Sequence, residues 1–293
     1  MEPMFVQLLI AALLSGSIYG LIALGYSLIY RASGIMNLAQ GDLMCLGGFL
    51  GYTFYSIMGL PVIVAIVLTV SCSFIIGCIL ERFAIRPIFN RSAATSSIIL
   101  ATVAVSYIIQ SLEIIFWGGA PRAIPSFLQV STITIMGIIY QTESLLCIGV
   151  ALTSMLGIHI FMKKSSFGIA MRAAAMDPVA AKSCGISVNN TTRITWAIAS
   201  MVAGLAGIMV GPLYGVTTTL GAAMSAKGFA SAVVGGYGDM YGAMIGGGVL
   251  AALEAFSAGY ISSALKQLIA YMAVLLILFV RPRGIMNAES VKD

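Results

Sequence analysis

The sequence predicts an all-α polytopic membrane protein of about eight transmembrane helices, with discontinuous Gly-rich segments near 31–48 and 227–247. Three observations predict it. The 293-residue chain is 60% hydrophobic and 9% charged, against about 25% charged residues in soluble globular proteins. Residues 3–30 and 43–80 carry no charge, and roughly 20 apolar residues cross a bilayer as one helix. Eleven of the fifteen Lys and Arg residues fall in three segments: Arg82, Arg86 and Arg91; Lys163, Lys164, Arg172, Lys182 and Arg193; Arg281, Arg283 and Lys292. Such clustering marks cytoplasmic loops. The net charge of +5 is therefore a topology signal and gives no reason to expect nucleic acid. The ten-residue alternating strands of a membrane barrel are absent from the pattern.

Taken in order, spans are expected near 5–29 and 36–57, the first retained rather than cleaved because Glu2 is its only charge. Gly59-Leu60-Pro61 breaks the apolar run, and a span near 61–80 leads into the first basic segment. Spans near 96–117 and 144–162 flank an outer loop, 118–143, with the turn sequence GGAPRAIP. The longest cytoplasmic segment is 163–193; spans near 194–214 and 261–280 follow. With all three basic segments inside, the chain crosses an even number of times between 215 and 260, and the N-terminus lies outside. Residues 227–256 are too few for two full helices. The stretch VVGGYGDMYG therefore reads as a break between a half-helix and a longer helix. A second irregular stretch, Arg31 to Tyr52, sets Asn37, Gln40 and Asp42 beside glycines. Paired Gly-interrupted segments of this kind point to discontinuous helices at a transport site.

Among the 32 glycines, Gly16/Gly20, Gly47/Gly51, Gly207/Gly211 and Gly238/Gly242/Gly246 stand four apart, which brings helix backbones close together. Packing explains most of them, but not Gly235-Gly236 followed by Asp239. Acids inside a membrane are costly and become site candidates. Asp42 and Asp239 each follow a Gly or precede a helix and are expected to cap half-helices. Glu254 lines a pathway, pairs with Lys266 or serves as a structural hydrogen-bond acceptor, and Glu113 is expected near the outer interface beside Trp117. Within 163–193, an Ala-rich helix is expected to run from Gly168 to about Ala175. Asp177-Pro178 then starts a short helix that Gly185 ends.

The sequence holds no phosphate-binding GxxxxGK[ST] loop. His159 is the only histidine, the five cysteines form no CxxC pair, and no metal or cofactor is expected. No nucleophile–base constellation is apparent, so a transport subunit is expected rather than an enzyme.

Three blocks carry a family resemblance: Gly16–Tyr52, FGIAMRAAAMDPVAAKSCGISV (Phe167–Val188) and Lys227–Ile285. The chain resembles the permease subunits of branched-chain amino acid ABC importers, LivH type, over nearly its whole length and in the family's order. Gln40 stands where that family often has His, which removes a titratable group and leaves polar packing or pathway lining. The resemblance implies a single transmembrane permease domain over 1–293 in the bacterial cytoplasmic membrane. It also implies a second related permease, two cytoplasmic ATP-binding subunits and an extracytoplasmic substrate-binding protein as partners. It makes Asn37, Gln40, Gly41, Asp42, Gly235, Gly236, Gly238, Asp239 and Glu254 pathway candidates. It makes 163–193 the ATPase-coupling segment, with Arg172 and Asp177 as polar contacts, Ala173, Ala175 and Ala180 as close docking positions, and Gly185 ending the second helix. Urea and amide importers use similar permeases. A stand-alone secondary transporter or channel coupled through Glu254 and Asp239 is the competing class.

Overall fold

A computed structural model describes residues 2–90, 95–128, 132–135 and 138–286. Arg91 and Lys292 of the basic segments lie outside these residues. Among the described residues, six helices are long and apolar enough to cross a membrane. They are α1 (Glu2–Ser33), α3 (Val62–Leu80) with its continuation, α5 (Thr95–Trp117), α6 (Thr142–Lys164), α9 (Val188–Tyr214) and α11 (Met240–Tyr260). The chain is thus an all-α polytopic membrane protein. Shorter apolar helices are α10 (Leu220–Gly235) and α12 (Lys266–Val280), and α2 (Gln40–Gly51) is a further short helix. α2 continues as a π-helix over Tyr52–Ile57, and α3 passes through a π-helical turn, Glu81–Ile85, into α4 (Arg86–Asn90). Two short helices, α7 (Ser166–Met176) and α8 (Pro178–Ser183), join α6 to α9. The outer segment expected as irregular loop contains a β-hairpin, Thr132–Ile135 paired antiparallel with Ile138–Gln141. Its β-branched sequence TITI suits a strand.

α9 forms the centre, packed by α1, α2 and α3. Its glycines admit this crowding. A Cβ on Gly207 would overlap the Met44 carbonyl of α2, and a Cβ on Gly47 would overlap Gly204. On the other side Ser73 of α3 packs against Gly204, and Ser200 against Gly77. The four-residue glycine spacing therefore serves backbone approach. α1 packs along α11 in the same way, through Gly16 and Gly20 against Gly247 and Gly248.

One end of the bundle is basic. There Arg86 grips Glu81 with Nε and Nη2, the closest approach being 2.8 Å, and donates from Nη2 to the Asn189 carbonyl at 3.0 Å. Arg172 donates to the Met162 carbonyl at the end of α6. The same end holds the turn between α10 and α11. Gly236 (φ 115°) and Gly238 (φ 97°) take left-handed backbone there, which only glycine adopts cheaply. The residues after α12 close over it: the Ile285 and Met286 amides donate to the Val234 and Gly235 carbonyls. This turn lies level with the ends of α1 and α6, at the rim of the bundle. Gly235 and Gly242 touch across it, as do Gly246 and Ser231, so α10 and α11 form a tight antiparallel hairpin.

The irregular backbone that lies deepest is elsewhere. After α1, residues 34–39 are not helical, and Ile35, Asn37 and Ala39 are buried. α2 starts at Gln40, whose Nε2 donates to the Ala199 carbonyl at 3.0 Å. Ala199 stands about 16 Å along α9 at 1.5 Å per residue, roughly half of a 30 Å hydrocarbon core. α10 also begins inside the bundle, with Gly221 against Asp42.

Candidate functional site

Irregular backbone at membrane depth needs every polar group satisfied within the protein. Around 34–39 hydroxyls and one amide side chain do this. Asn37 Oδ1 accepts from the Ala39 amide at 3.2 Å. Thr102 Oγ1 of α5 accepts from the Leu38 amide at 3.2 Å, and Ser225 Oγ of α10 donates to the Leu38 carbonyl at 3.2 Å. Ser225 also shares a hydrogen bond with the Tyr26 hydroxyl of α1. Asn37 and Gln40 meet at 3.4 Å. Gln40 has no exposed surface and fits against Gly25 of α1, where a Cβ would collide with its amide. It is a packing group linking α1, α2 and α9.

Asp42 was expected to cap the half-helix. The structure corrects this: α2 starts two residues earlier, and the carboxylate faces α5, accepting from Ser106 Oγ and, at 2.9 Å, from Gln110 Nε2. Gly41 makes room beside it, with Ser225 Cβ 2.6 Å from where a Cβ on Gly41 would stand. Glu113 lies one turn from the outer end of α5, near Trp117 as expected, but it is fully buried among the helices, and neither carboxylate oxygen has a hydrogen-bond partner among the described residues. Thr102, Ser106, Gln110 and Glu113 are spaced four, four and three apart, one face of α5. That periodicity was visible in the sequence and was the missed signal.

Glu254 is held by Lys227, not Lys266. The Lys227 ammonium lies 3.0 Å from the carboxylate, and Tyr19 donates to Glu254 Oε2 at 2.8 Å. Lys227 also donates to the Tyr19 hydroxyl at 2.7 Å. Lys266 is exposed at the start of α12, and the α10–α11 hairpin brings Lys227 to Glu254 instead. Tyr19 and Tyr26 stand two turns apart on α1, facing Lys227 and Ser225 of α10. Gly41 and Asp42 of the first half therefore meet α10 at Ser225 and Gly221, and Glu254 is tied to the same helix through Lys227. Gly235, Gly236, Gly238 and Asp239 do not join this junction; they form the rim turn, where Asp239 accepts from the Gly242 amide at 2.7 Å and caps α11.

The segment from 163 to 193 follows its expected local plan. Asp177 caps α8 through the Val179 and Ala180 amides at 2.8 and 3.0 Å, Pro178 takes the first turn, and Gly185 has φ 82°. Met176 and Val179 are 85% and 74% exposed, and Ala180 and Asp177 are exposed beside them. Ala173 and Ala175 are half-buried. Arg172 reaches back to α6 and thereby fixes the pair to the bundle.

A family model described as branched-chain amino acid transport system, permease component, matches residues 8–279. The chain belongs to this family. It is a permease subunit, a multi-pass protein of the inner membrane, and not itself catalytic; ATP hydrolysis in this family occurs in separate subunits. It is 30% identical over 301 residues to the high-affinity branched-chain amino acid transport system permease protein BraD of Pseudomonas aeruginosa, covering 98% of this chain and 97% of that one. It is also 30% identical to LivH of Salmonella typhimurium, with 98% and 97% covered. The probable LivH of Methanocaldococcus jannaschii is 24% identical, with 97% and 93% covered. Among solved structures, PsaBC from Streptococcus pneumoniae in complex with Fab aligns with 93% of this chain and 91% of that chain at a TM-score of 0.51 and 17% identity. That likeness is one of fold.

Proposed function

We propose that this permease carries branched-chain amino acids inward by alternating access, driven by two ATP-binding subunits at its basic end. A second related permease completes the pathway and an extracytoplasmic binding protein delivers substrate. The observation that carries this reading is the α7–α8 pair. It presents an apolar surface, Met176, Val179 and Ala180, at the basic end, while Arg172 ties it rigidly to α6. Exposed apolar groups on a short, well-capped helix suit a protein partner. Asp177 and Gly185 set its shape, and Ala173 and Ala175 let it sit close.

On this reading the basic end is cytoplasmic. Among the described residues, six long helices and three shorter ones, α2, α10 and α12, make nine passes, an odd number that puts Glu2 and Met286 on opposite sides. The buried ends of α2 and α10 are the discontinuous pair. Asn37, Gly41, Asp42 and Glu254 border the pathway there, and Gln40 supports it. Gly235, Gly236, Gly238 and Asp239 act as the hinge of the hairpin at the cytoplasmic rim.

The test is reconstitution of the complete importer in liposomes, with leucine, isoleucine, valine, urea and short amides as candidate substrates. ATP-dependent uptake of a branched-chain amino acid, lost without the ATPases, is expected. Uptake by this chain alone, driven by a pH gradient, would sink the reading in favour of a secondary transporter.

A further inference from the structure

A second site lies at the basic end, away from the α2–α10 junction. A cavity of about 260 Å³ is lined by Arg31 at the end of α1, His159 and Lys163 of α6, Arg172 of α7, and Asp239 and Tyr241 at the start of α11. Three cations face one carboxylate. That carboxylate is engaged with the Gly242 amide. The guanidinium of Arg172 is engaged with the Met162 carbonyl. Arg31 and Lys163 make no ion pair among the described residues. Met240 and Tyr241, the first residues of α11, line the same space, and a helix start leaves its first amides without intrahelical partners. Two unpaired cations and a helix N-terminus form an anion site.

Beyond the cavity, the neighbouring faces of α6 and α11 are apolar. His159 of α6 and Tyr241 of α11 are hydrogen-bonded between them. One and two turns further into the membrane, Leu156 and Leu152 of α6 and Ile245 of α11 are exposed, and a Cβ on Gly248 would meet nothing. Between α6 and α11 lies α1, whose Gly20 contacts Met155 and Met244 and makes the floor. The volume is below the roughly 300–1,000 Å³ of drug-sized sites. An anion bound here has an exposed apolar surface beside it. We propose that the cavity binds the phosphate of an acidic membrane phospholipid, with an acyl chain lying in the α6–α11 groove. The bound headgroup then joins α1, α6, α7 and α11 at one point, directly behind the α7–α8 surface. Assignment to the cytoplasmic leaflet rests on the orientation proposed above; the binding itself does not.

The test is native mass spectrometry of the full-length purified chain. It is titrated with dioleoylphosphatidylglycerol, dioleoylphosphatidylcholine or inorganic phosphate. Selective retention of phosphatidylglycerol is expected. Arg31→Gln and Lys163→Gln are each expected to weaken it about fivefold, while Lys164→Gln, one residue outside the cavity, leaves it unchanged. Gly248→Leu fills the groove without touching a charge and should also weaken retention; it serves if the charge variants fail to fold. Equal retention of phosphatidylcholine, or phosphatidylglycerol binding indifferent to both the cavity and the groove variants, overturns the proposal. Inorganic phosphate displacing the lipid at equal affinity overturns the lipid assignment in favour of a soluble anion. Substrate and ATPase do not enter the measurement, so failed transport in reconstituted importer and failed lipid binding are separate results.

Discussion

Lys227 and Glu254 are joined across the α10–α11 hairpin at 3.0 Å, both nearly buried, with the Tyr19 hydroxyl in contact with each. The pair couples the short helix α10 to the full-length helix α11, and Tyr19 couples both to α1. A single charge left alone in such a place is expensive. Lys227→Met is therefore expected to destabilise the protein by about 3–5 kcal/mol, and Glu254→Gln, which leaves the Lys227 ammonium as the lone charge, by a similar amount. The double variant Lys227→Met, Glu254→Leu should regain most of the loss. Thermal unfolding of the detergent-solubilised chain measures all three. A double variant no more stable than Lys227→Met would show that the pair does not act as a unit. Transport by a stable double variant separates a structural role from a pathway role: retained uptake means the ion pair only holds the hairpin.

Glu113 calls for the opposite sign. Its carboxyl group is buried between α2 and α5 with no hydrogen-bond partner among the described residues. Burying a polar group without a partner costs about 1–3 kcal/mol. Glu113→Met keeps the volume and removes that cost, so the variant should melt higher than the parent. A lower melting temperature would mean that the carboxyl has a partner, such as the neighbouring Cys45 thiol of α2 or a bound cation.

These two acids show what the sequence could and could not tell. Local features were legible: the Asp177-Pro178 start of α8, the Asp239 cap and the glycine faces depend on residues within one turn of each other. Partner choice was not. Glu254 lies twelve residues from Lys266 and 27 from Lys227, and nothing in one strand of sequence says that the rim turn at Gly236–Asp239 folds α10 back along α11. The depth of the irregular segments was equally hidden. Both glycine-rich stretches looked alike, and both are partly buried, yet 34–39 runs from the end of α1 to mid-bundle, where Thr102 and Ser225 from distant helices satisfy its backbone, while Gly236–Asp239 stays at the rim.

That dependence makes Ser225 a sensitive position. Its hydroxyl serves the Leu38 carbonyl and meets the Tyr26 hydroxyl. Ser225→Ala is expected to cost about 1–2 kcal/mol, the price of leaving a buried carbonyl unpaired. The effect should appear as faster amide exchange confined to residues 34–42. Uniformly faster exchange would instead indicate global destabilisation, and no change would show that another donor replaces the hydroxyl. Ser225→Thr retains the donor and should retain protection unless its methyl group collides with Gly41.

The coupling surface yields the sharpest functional prediction. Val179 is exposed and follows the cap Asp177 directly after Pro178, so its side chain can change without disturbing the bundle. Val179→Asp places a charge in the proposed docking face, where burial against a partner would leave it desolvated and unpaired. The chain itself should melt within about 0.5 kcal/mol of the parent, as surface substitutions do. Assembly with the ATP-binding subunits should fall by tenfold or more, as a loss of about 1.4 kcal/mol or greater dictates. Asp177→Ala acts differently, because it frays α8 by about 1 kcal/mol while leaving the apolar face chemically intact. It should weaken assembly less than Val179→Asp, yet reduce the stimulation of ATP hydrolysis by substrate-loaded binding protein. Pull-down of the ATPases measures the first effect and ATPase rate in the reconstituted importer the second. Full assembly and transport by Val179→Asp would move the docking surface away from α7–α8.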